Sequence, residues 1–391
     1  MNLAKWPFYD KEQIKICESV LTSGNVNYWT GNQTKLFQNE YAIKFDSKFA
    51  IALSNGSLAL SAAYLSLGIG KNDQIITTPR TFIATASSAV LLGAHPIFAD
   101  VNRDSGNITA DTIEPLINKK TKAIVVVHLG GWPADMIEIC KLAKSYNIPV
   151  IEDCAQAHGA KILIDGKEKS VGSFGDVSAW SFCQDKIIST AGEGGMITTN
   201  SEYFYDKVWS FKDHGKTRES INKKHKNGFR WVHDRFGSNF RMTEIQSAIG
   251  RIQIRKLDEW SDLRKNNALF LKSGLEDLSS LRIPFPSKEK KHAWYKFHCY
   301  LNKSALLDGW DRDRILYEIN QKGFPAFAGS CSEIYLEKCF KNSKYRYKKR
   351  LSNAKELGET SLMFLVHPTI TNNQMNNYLD VIRSVCKKAT K

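Results

Sequence analysis

Short, uniformly apolar runs recur through the first half of the chain, and stretches with helical spacing separate most of them. Residues 49–53 read FAIAL, 74–78 QIITT, 96–99 PIFA, 123–128 AIVVVH, 149–152 PVIE and 177–182 VSAWSF. A strand with one face in water alternates apolar and polar residues; these do not, so both faces of the sheet are expected to be covered. Helices of about a dozen residues between such runs predict a mostly parallel sheet and an α/β fold. Sheets of this kind bind ligands beyond the carboxyl ends of their strands.

What stands at those ends is informative. The run at 177–182 leads into a polar stretch with a lone lysine, Lys186, then Ser189, Thr190 and the glycines Gly192, Gly194 and Gly195. Burial disfavours an ammonium group, and a neutral amine can form a Schiff base with an aldehyde. The plain alternative is a strand leaving the core through a polar loop whose lysine reaches water. Asp153 follows the run at 149–152. Ser54, Asn55, Gly56 and Ser57 open an Ala- and Leu-rich helix after 49–53, as an ordinary cap or as an anion site. Phe82 occupies the turn after 74–78, either as core or stacked on a planar ligand. Four such groups at equivalent ends of one sheet point to a common site more strongly than any one does. No GxGxxG appears, so the turn at 54–57 is not a dinucleotide fingerprint.

At 391 residues the chain has room for two domains, or for one large domain with an appendage. No run of about 18 apolar residues predicts a membrane span, and MNLAKWPFYDKEQ lacks the apolar core of a signal peptide. The eight cysteines form no CxxC pair, which argues against a zinc site and fits reduced thiols in a cytosolic protein. The net charge of +15 raises nucleic acid as a partner. The densest basic clusters, KEKK at 288–291 and YRYKKR at 345–350, are short and read as solvated faces. Diffuse positive charge would equally attract a nucleotide diphosphate.

Residues 9–21 and 34–45 read as helices around the loop SGNVNYWTGNQ, a connection or a substrate lid. The polar and aromatic stretch 219–240 reads as a long loop. A long amphipathic helix is expected over 243–275, capped by Thr243 with Gln246 at capping-box spacing. From about 276 the pattern shifts: a strand at 292–301 and helices at 311–322 and 372–386 suggest a smaller α/β domain. Residues 1–250 are read as the large domain and 251–391 as the long helix with the small domain.

The segments SNGSLAL, TPRTFIAT, IEDCAQAHGA, SFCQDKIISTAGEGGMITT and GSNFRMTEIQSAIG, in this order and spacing, resemble the DegT/DnrJ/StrS aminotransferases. The resemblance covers nearly the whole chain. It implies the type I fold of pyridoxal phosphate (PLP) transferases, with pyridoxamine phosphate as the alternate cofactor form. By the same resemblance Lys186 would carry the cofactor, Asp153 would face the pyridine nitrogen and Gln156 the ring hydroxyl. Phe82 would stack on the ring, and Gly56, Ser57 and Ser181 would hold the phosphate. Asn239 would reach the phosphate of a neighbouring subunit, which implies a homodimer with shared sites. Cys183 stands where the family often has histidine and is read as packing beside the cofactor. The histidine- and proline-rich stretch of many sugar-nucleotide members is replaced by GFPAFAGSCSEIYLEKCF. Lys186 itself argues against the dehydratase branch, in which histidine replaces the lysine.

The function this implies is transfer of an amino group from L-glutamate to a nucleotide-linked keto sugar, a 4-keto-6-deoxyhexose, in the cytoplasm. The product would feed a surface polysaccharide such as the O-antigen of lipopolysaccharide. Trp29, His214 and Arg230 are candidate sugar contacts. A 3-keto substrate, a non-catalytic PLP-binding regulator and a nucleic-acid binder are the alternatives. No metal and no membrane partner is expected.

Overall fold

Nine strands occupy the first half of the chain: β1 Phe49–Leu53, β2 Gln74–Thr77, β3 His95–Phe98, β4 Thr121–Val127, β5 Val150–Asp153, β6 Lys161–Ile164, β7 Lys167–Ser170, β8 Val177–Ser181 and β9 Gly195–Thr199. Seven of them form one sheet in the order β1-β9-β8-β5-β4-β2-β3. The computed structural model describes residues 3–223 and 228–391; residues 224–227, within the polar stretch expected to be a long loop, lie outside the described residues.

The apolar runs are apolar on both sides because two cores claim them. Along β4, Ala123 and Val125 pack with Ile51 and Ile75 on one face. Ile124 and Val126 pack with Ala52 and Ile76 on the other. The first face is covered by the helices Gly56–Ser66 and Glu202–Lys212. The second is covered by Gln33–Lys44, Met136–Ser145 and the first half of the helix Glu244–Leu275. Truncating any one of these fully buried branched residues to alanine costs about 2–5 kcal/mol.

Six strands of the sheet point the same way, and β9 is reversed. No helix lies between β8 and β9, so the chain has no crossover with which to return in parallel and pairs back directly, Ser181 opposite Gly195. The carboxyl ends of β1, β2, β5 and β8 therefore share one rim.

The expected elements are present with small shifts at their ends. The capping box of Glu244–Leu275 is formed by Thr243 and Gln246. Three features depart from expectation. The stretch 219–240 opens with the last turns of a short helix, Arg218–Asn222. The hairpin β6–β7 was not anticipated, although its Asp165-Gly166 pair is a hairpin signature. The strand expected over 292–301 begins only at Phe297, because Trp294 takes a positive φ of 50° and breaks the run.

A second core starts in the latter part of the long helix. Ala268, Leu271 and Leu275 meet Phe297 and Leu301 of β12, Leu362 and Phe364 of β13, and the helices Arg312–Gln321 and Asn372–Ala389. Here β10 is Leu281–Arg282, β11 is Lys290–Lys291, β12 is Phe297–Leu301 and β13 is Ser361–Phe364. β10, β12 and β13 form an antiparallel sheet, and β11 adds to β6–β7. The long helix passes residue 250 without interruption, so the change from one core to the other happens along a single helix. Among the described residues no helix is long and apolar enough to cross a membrane, and no cysteine is paired.

Candidate active site

The site begins where β1 ends. Asn55 is extended, and its side chain accepts from Leu58 N at 2.9 Å, which caps the Gly56–Ser66 helix. That leaves the N–H groups of Gly56 and Ser57 facing out at the positive end of the helix, an arrangement that suits an anion. Gly56 must be glycine here: a Cβ would sit 2.6 Å from Ser181 Cβ, so the helix start abuts the end of β8.

After β2 the chain turns through Pro79–Phe82. The Thr81 and Thr85 hydroxyls lie 2.8 Å apart, and Thr85 Oγ1 donates to Asp153 Oδ2 at 2.8 Å. Phe82 is 67% exposed. It is not a core residue; its ring flanks open space.

Asp153, the last residue of β5, is 5% exposed and also accepts from Ala155 N at 3.1 Å. Burial pushes its carboxyl above the usual range, while Thr85, Ala155 and Lys186 pull the other way. Gln156 Oε1 accepts from Gly130 N at 2.7 Å, so its amide nitrogen is the end free to donate. Gly130 is left-handed at φ 64°, and a Cβ there would lie 3.0 Å from the His298 ring.

Lys186 does not reach bulk water: its side chain is 15% exposed. Nζ lies 3.6 Å from Asp185 Oδ1 and 5.0 Å from the centroid of the Tyr295 ring. The backbone at 186 is held on both sides, its N–H by Cys183 O at 3.0 Å and its carbonyl by Trp6 Nε1 at 2.8 Å. Tyr295 donates its phenol to Asp185. Burial works against the Asp185 carboxylate, but Lys186, Tyr295 and Lys296 outweigh it and hold the group below its ordinary range. Cys183 Sγ is 3.8 Å from Glu193 Oε1, and burial raises its thiol, as fits a packing role.

These groups line one cavity of about 660 Å³. Gly56, Ser57, Phe82, Asp153, Gln156, Ser181 and Lys186 are all at its wall. Among its polar members, sequence reasoning missed Thr81, Thr85, Asp185 and Glu193. Thr85 closes the TPRTFIAT run, and Asp185 adjoins Lys186, so both had a local signal. Tyr295, which reaches Asp185 from far along the chain, had none. The cavity fits a pyridine ring carrying a phosphate: an acid at one end, an anion-binding helix start at the other, and an amine between the walls.

Four candidates lie elsewhere. Asn239 is exposed, pairs by its backbone with Asp213, and accepts from Arg241 N at 3.2 Å. Trp29 packs edge-on against Tyr28 and Trp209, with Lys216 Nζ 4.9 Å from its ring centroid. His214 is exposed and its carbonyl accepts from His233. Arg230 is exposed and donates to Ile221 O. The structure brings none of the four to this chain's own cavity. Next to His214, Lys212 is fully buried with Nζ 3.7 Å from the Tyr28 ring centroid and no hydrogen-bond partner. Asp213 is 3.8 Å from it and is shared with Arg241 and Lys216.

A model of the DegT/DnrJ/EryC1/StrS aminotransferase family matches residues 7–383. The chain is similar to an aminotransferase from Psychrobacter cryohalolentis, whose X-ray structure shares 47% of its sequence at a TM-score of 0.95, with 99% of each chain covered. The GDP-perosamine synthase of Escherichia coli O157:H7 is 39% identical over 276 residues, 71% of this chain and 70% of that protein. The Helicobacter pylori aminotransferase involved in the biosynthesis of pseudoaminic acid is 25% identical at a TM-score of 0.88, covering 99% of this chain and 100% of that one.

Proposed function

The chain belongs to the DegT/DnrJ/EryC1/StrS aminotransferase family of PLP-dependent enzymes, and from that premise we propose that it moves an amino group from L-glutamate to a nucleotide-linked keto sugar. The sugar is a 6-deoxyhexose with its ketone at carbon 4. The relatives support this reading: one is named for a GDP-linked product and another for a part in making an acidic amino sugar. The observation that carries it is the meeting of Lys186, Asp153 and the Gly56–Ser57 helix start in one cavity.

PLP, when bound, supplies an aldehyde that takes up amines and a ring that accepts the electrons left when a proton leaves the adjacent carbon. The chain's own groups do the rest. The Lys186 amine would take the proton from the donor's α-carbon and return it two atoms along, to the carbon beyond the nitrogen, as base and then acid. Asp153, buried and held by Thr85, keeps a proton at the ring nitrogen. The Gln156 amide donates to the ring hydroxyl. Phe82 covers one face of the ring. The Gly56 and Ser57 N–H groups and the Ser181 hydroxyl take the phosphate oxygens.

Asn239 serves the site of a second copy in a homodimer. Its exposure away from its own cavity supports that reading, as do the exposed aromatics Phe229, Trp231 and Phe236 beside it, which a partner would cover. Trp29, His214 and Arg230 would contact the sugar in that partner's site. Residues 1–250 form the large, cofactor-bearing domain and 251–391 the long helix with the small C-terminal domain. The reaction takes place in the cytoplasm and feeds surface polysaccharide.

The test is spectroscopic. Purified with PLP, the enzyme should absorb in the near-violet, lose that band on addition of L-glutamate, and regain it with one of a panel of dTDP-, UDP- or GDP-linked 4-keto-6-deoxy sugars. A band that glutamate leaves unchanged, or that no keto sugar restores, refutes the assignment.

A further inference from the structure

Two further cations, Lys296 and Arg264, lie close to Lys186 and to one carboxylate of the cavity wall, Asp185. Lys186 Nζ and Lys296 Nζ lie 5.0 and 4.8 Å from the centroid of the same Tyr295 ring. Arg264 is 1% exposed. Its Nη1 donates to the carbonyls of Trp294 and Tyr295, at 3.4 and 3.3 Å, and so fixes the backbone just before Lys296. Its Nε and Nη2 are buried without a partner. The opposing carboxylate, Asp185, is already engaged by the Tyr295 phenol and by Lys186. Among the described residues the Lys296 ammonium makes no hydrogen bond and no ion pair, and it lies against the Tyr295 ring.

The surplus is felt by its neighbours. Burial first, then Lys186 and Arg264, push Lys296 down to about 8 against the pull of Asp185. Burial, Arg264 and Lys296 together push His367 down to about 3, so that imidazole is neutral and offers no compensation. A buried positive surplus with unmade hydrogen bonds calls for an anion.

We propose that Lys296, positioned and backed by Arg264, is the subsite for the carboxylate of the amino donor. This rests on the aminotransferase reading and adds to it. In an α-amino acid the carboxylate is bonded to the carbon that bears the amine. Any group that recognises it must therefore stand beside the amine that works on that carbon. Lys296 is the further cation that shares an aromatic ring, Tyr295, with Lys186. A keto sugar has no carboxylate at its reacting carbon, so Lys296 would serve one half of the reaction and not the other. Arg264 is a positioning residue: it holds the 294–295 backbone and leaves Lys296 to meet the ligand.

The experiment separates the two halves on the PLP-loaded enzyme. Lys296→Met should raise the glutamate concentration for half-maximal loss of the visible band by about 10- to 100-fold, the worth of a charge-assisted hydrogen bond. The keto-sugar half should stay within about twofold, and Lys296→Arg should restore most of the glutamate response. Binding is read independently by calorimetry with glutarate, which has carboxylates and no amine: wild type binds it, Lys296→Met does not. Lys348→Met, a change at an exposed lysine, controls for overall charge. The proposal is overturned by unchanged glutamate dependence in Lys296→Met, by equal loss in both halves, or by a loss confined to the sugar half, which would place a nucleotide phosphate there. If no α-amino acid converts the wild-type cofactor, the donor reading itself fails, and the proposal fails with it.

Discussion

Thr85 Oγ1 donates a 2.8 Å hydrogen bond to Asp153 Oδ2, from the first turn of the helix Ala84–Leu91 to the end of β5. Burial already pushes the Asp153 carboxyl upward, and this hydroxyl is the first group that restrains it. In Thr85→Val the donor is lost while the shape is kept. A carboxyl left short of one buried donor loses about 1–3 kcal/mol of support for its ionised form. PLP should bind about tenfold more weakly, by equilibrium dialysis. Because the ionised form pairs with the ring nitrogen, affinity falls as pH drops through the Asp153 range, and in Thr85→Val that fall should begin at a higher pH.

Lys186→Ala removes the amine from the cavity wall. Turnover should drop by at least about 10³-fold, in the range set by loss of a proton-transfer group. PLP that remains bound should absorb as the free aldehyde. Normal turnover in this variant would remove the role assigned to it.

Gly56 and Ser181 meet too closely for a Cβ at 56. Gly56→Ala should therefore push Ser181 aside and weaken phosphate binding about tenfold. In a Ser181→Gly background the added methyl has room, so the same change should cost much less. Strictly additive effects in this double-mutant cycle would show that the two residues do not share the cofactor's phosphate.

The proposed sharing of sites between two copies can be tested by complementation. Lys186→Ala and Asn239→Ala chains, each impaired alone, should regain activity when mixed under conditions that exchange subunits. A mixed dimer has one intact site, so random exchange restores about a quarter of wild-type activity. If Asn239 acted within its own chain, mixing would restore nothing.

Lys212 gives a prediction about stability. Burial holds its amine down to about 7, with Asp213 opposing and Arg241 and Lys216 adding to the shift. An unfolded lysine titrates near 10.4. Between about pH 7 and pH 10 the unfolded chain thus holds a proton the folded chain lacks, and this group makes stability rise with pH. Below that window both states are protonated and the penalty is complete. Lys212→Met should raise unfolding stability at pH 7 by about 1–3 kcal/mol, with the gain shrinking by pH 9.5, as read by urea titration.

Much of this was legible in the sequence, for a physical reason. Runs such as AIVVVH are apolar at every position because alternate side chains enter different cores, so a buried parallel sheet announces itself. The groups at the strand ends follow from that sheet, which is why Gly56, Phe82, Asp153 and Lys186 could be gathered before any coordinates. The reversal of β9 was not legible, because it depends on the absence of a helix in a polar stretch. Tyr295 and Lys296 were hidden for another reason: they follow a break in φ at Trp294 that no local pattern marks, and Arg264 reaches them from the middle of the long helix. Asn239 illustrates the limit of reading a single chain, since the role proposed for it needs a second copy.

The antiparallel turn-back of β9 has a mechanical consequence. The segment 182–194 is tethered at its root by the Ser181–Gly195 pairing, by the Gln246 amide on Glu193 O at 2.8 Å, and by Trp6 at its midpoint. A tether of that kind lets the tip of the lysine swing while its anchor stays put. The amine can then release one ligand and capture the next with no rearrangement of the scaffold, and an enzyme stripped of its vitamin should recharge simply on being offered more.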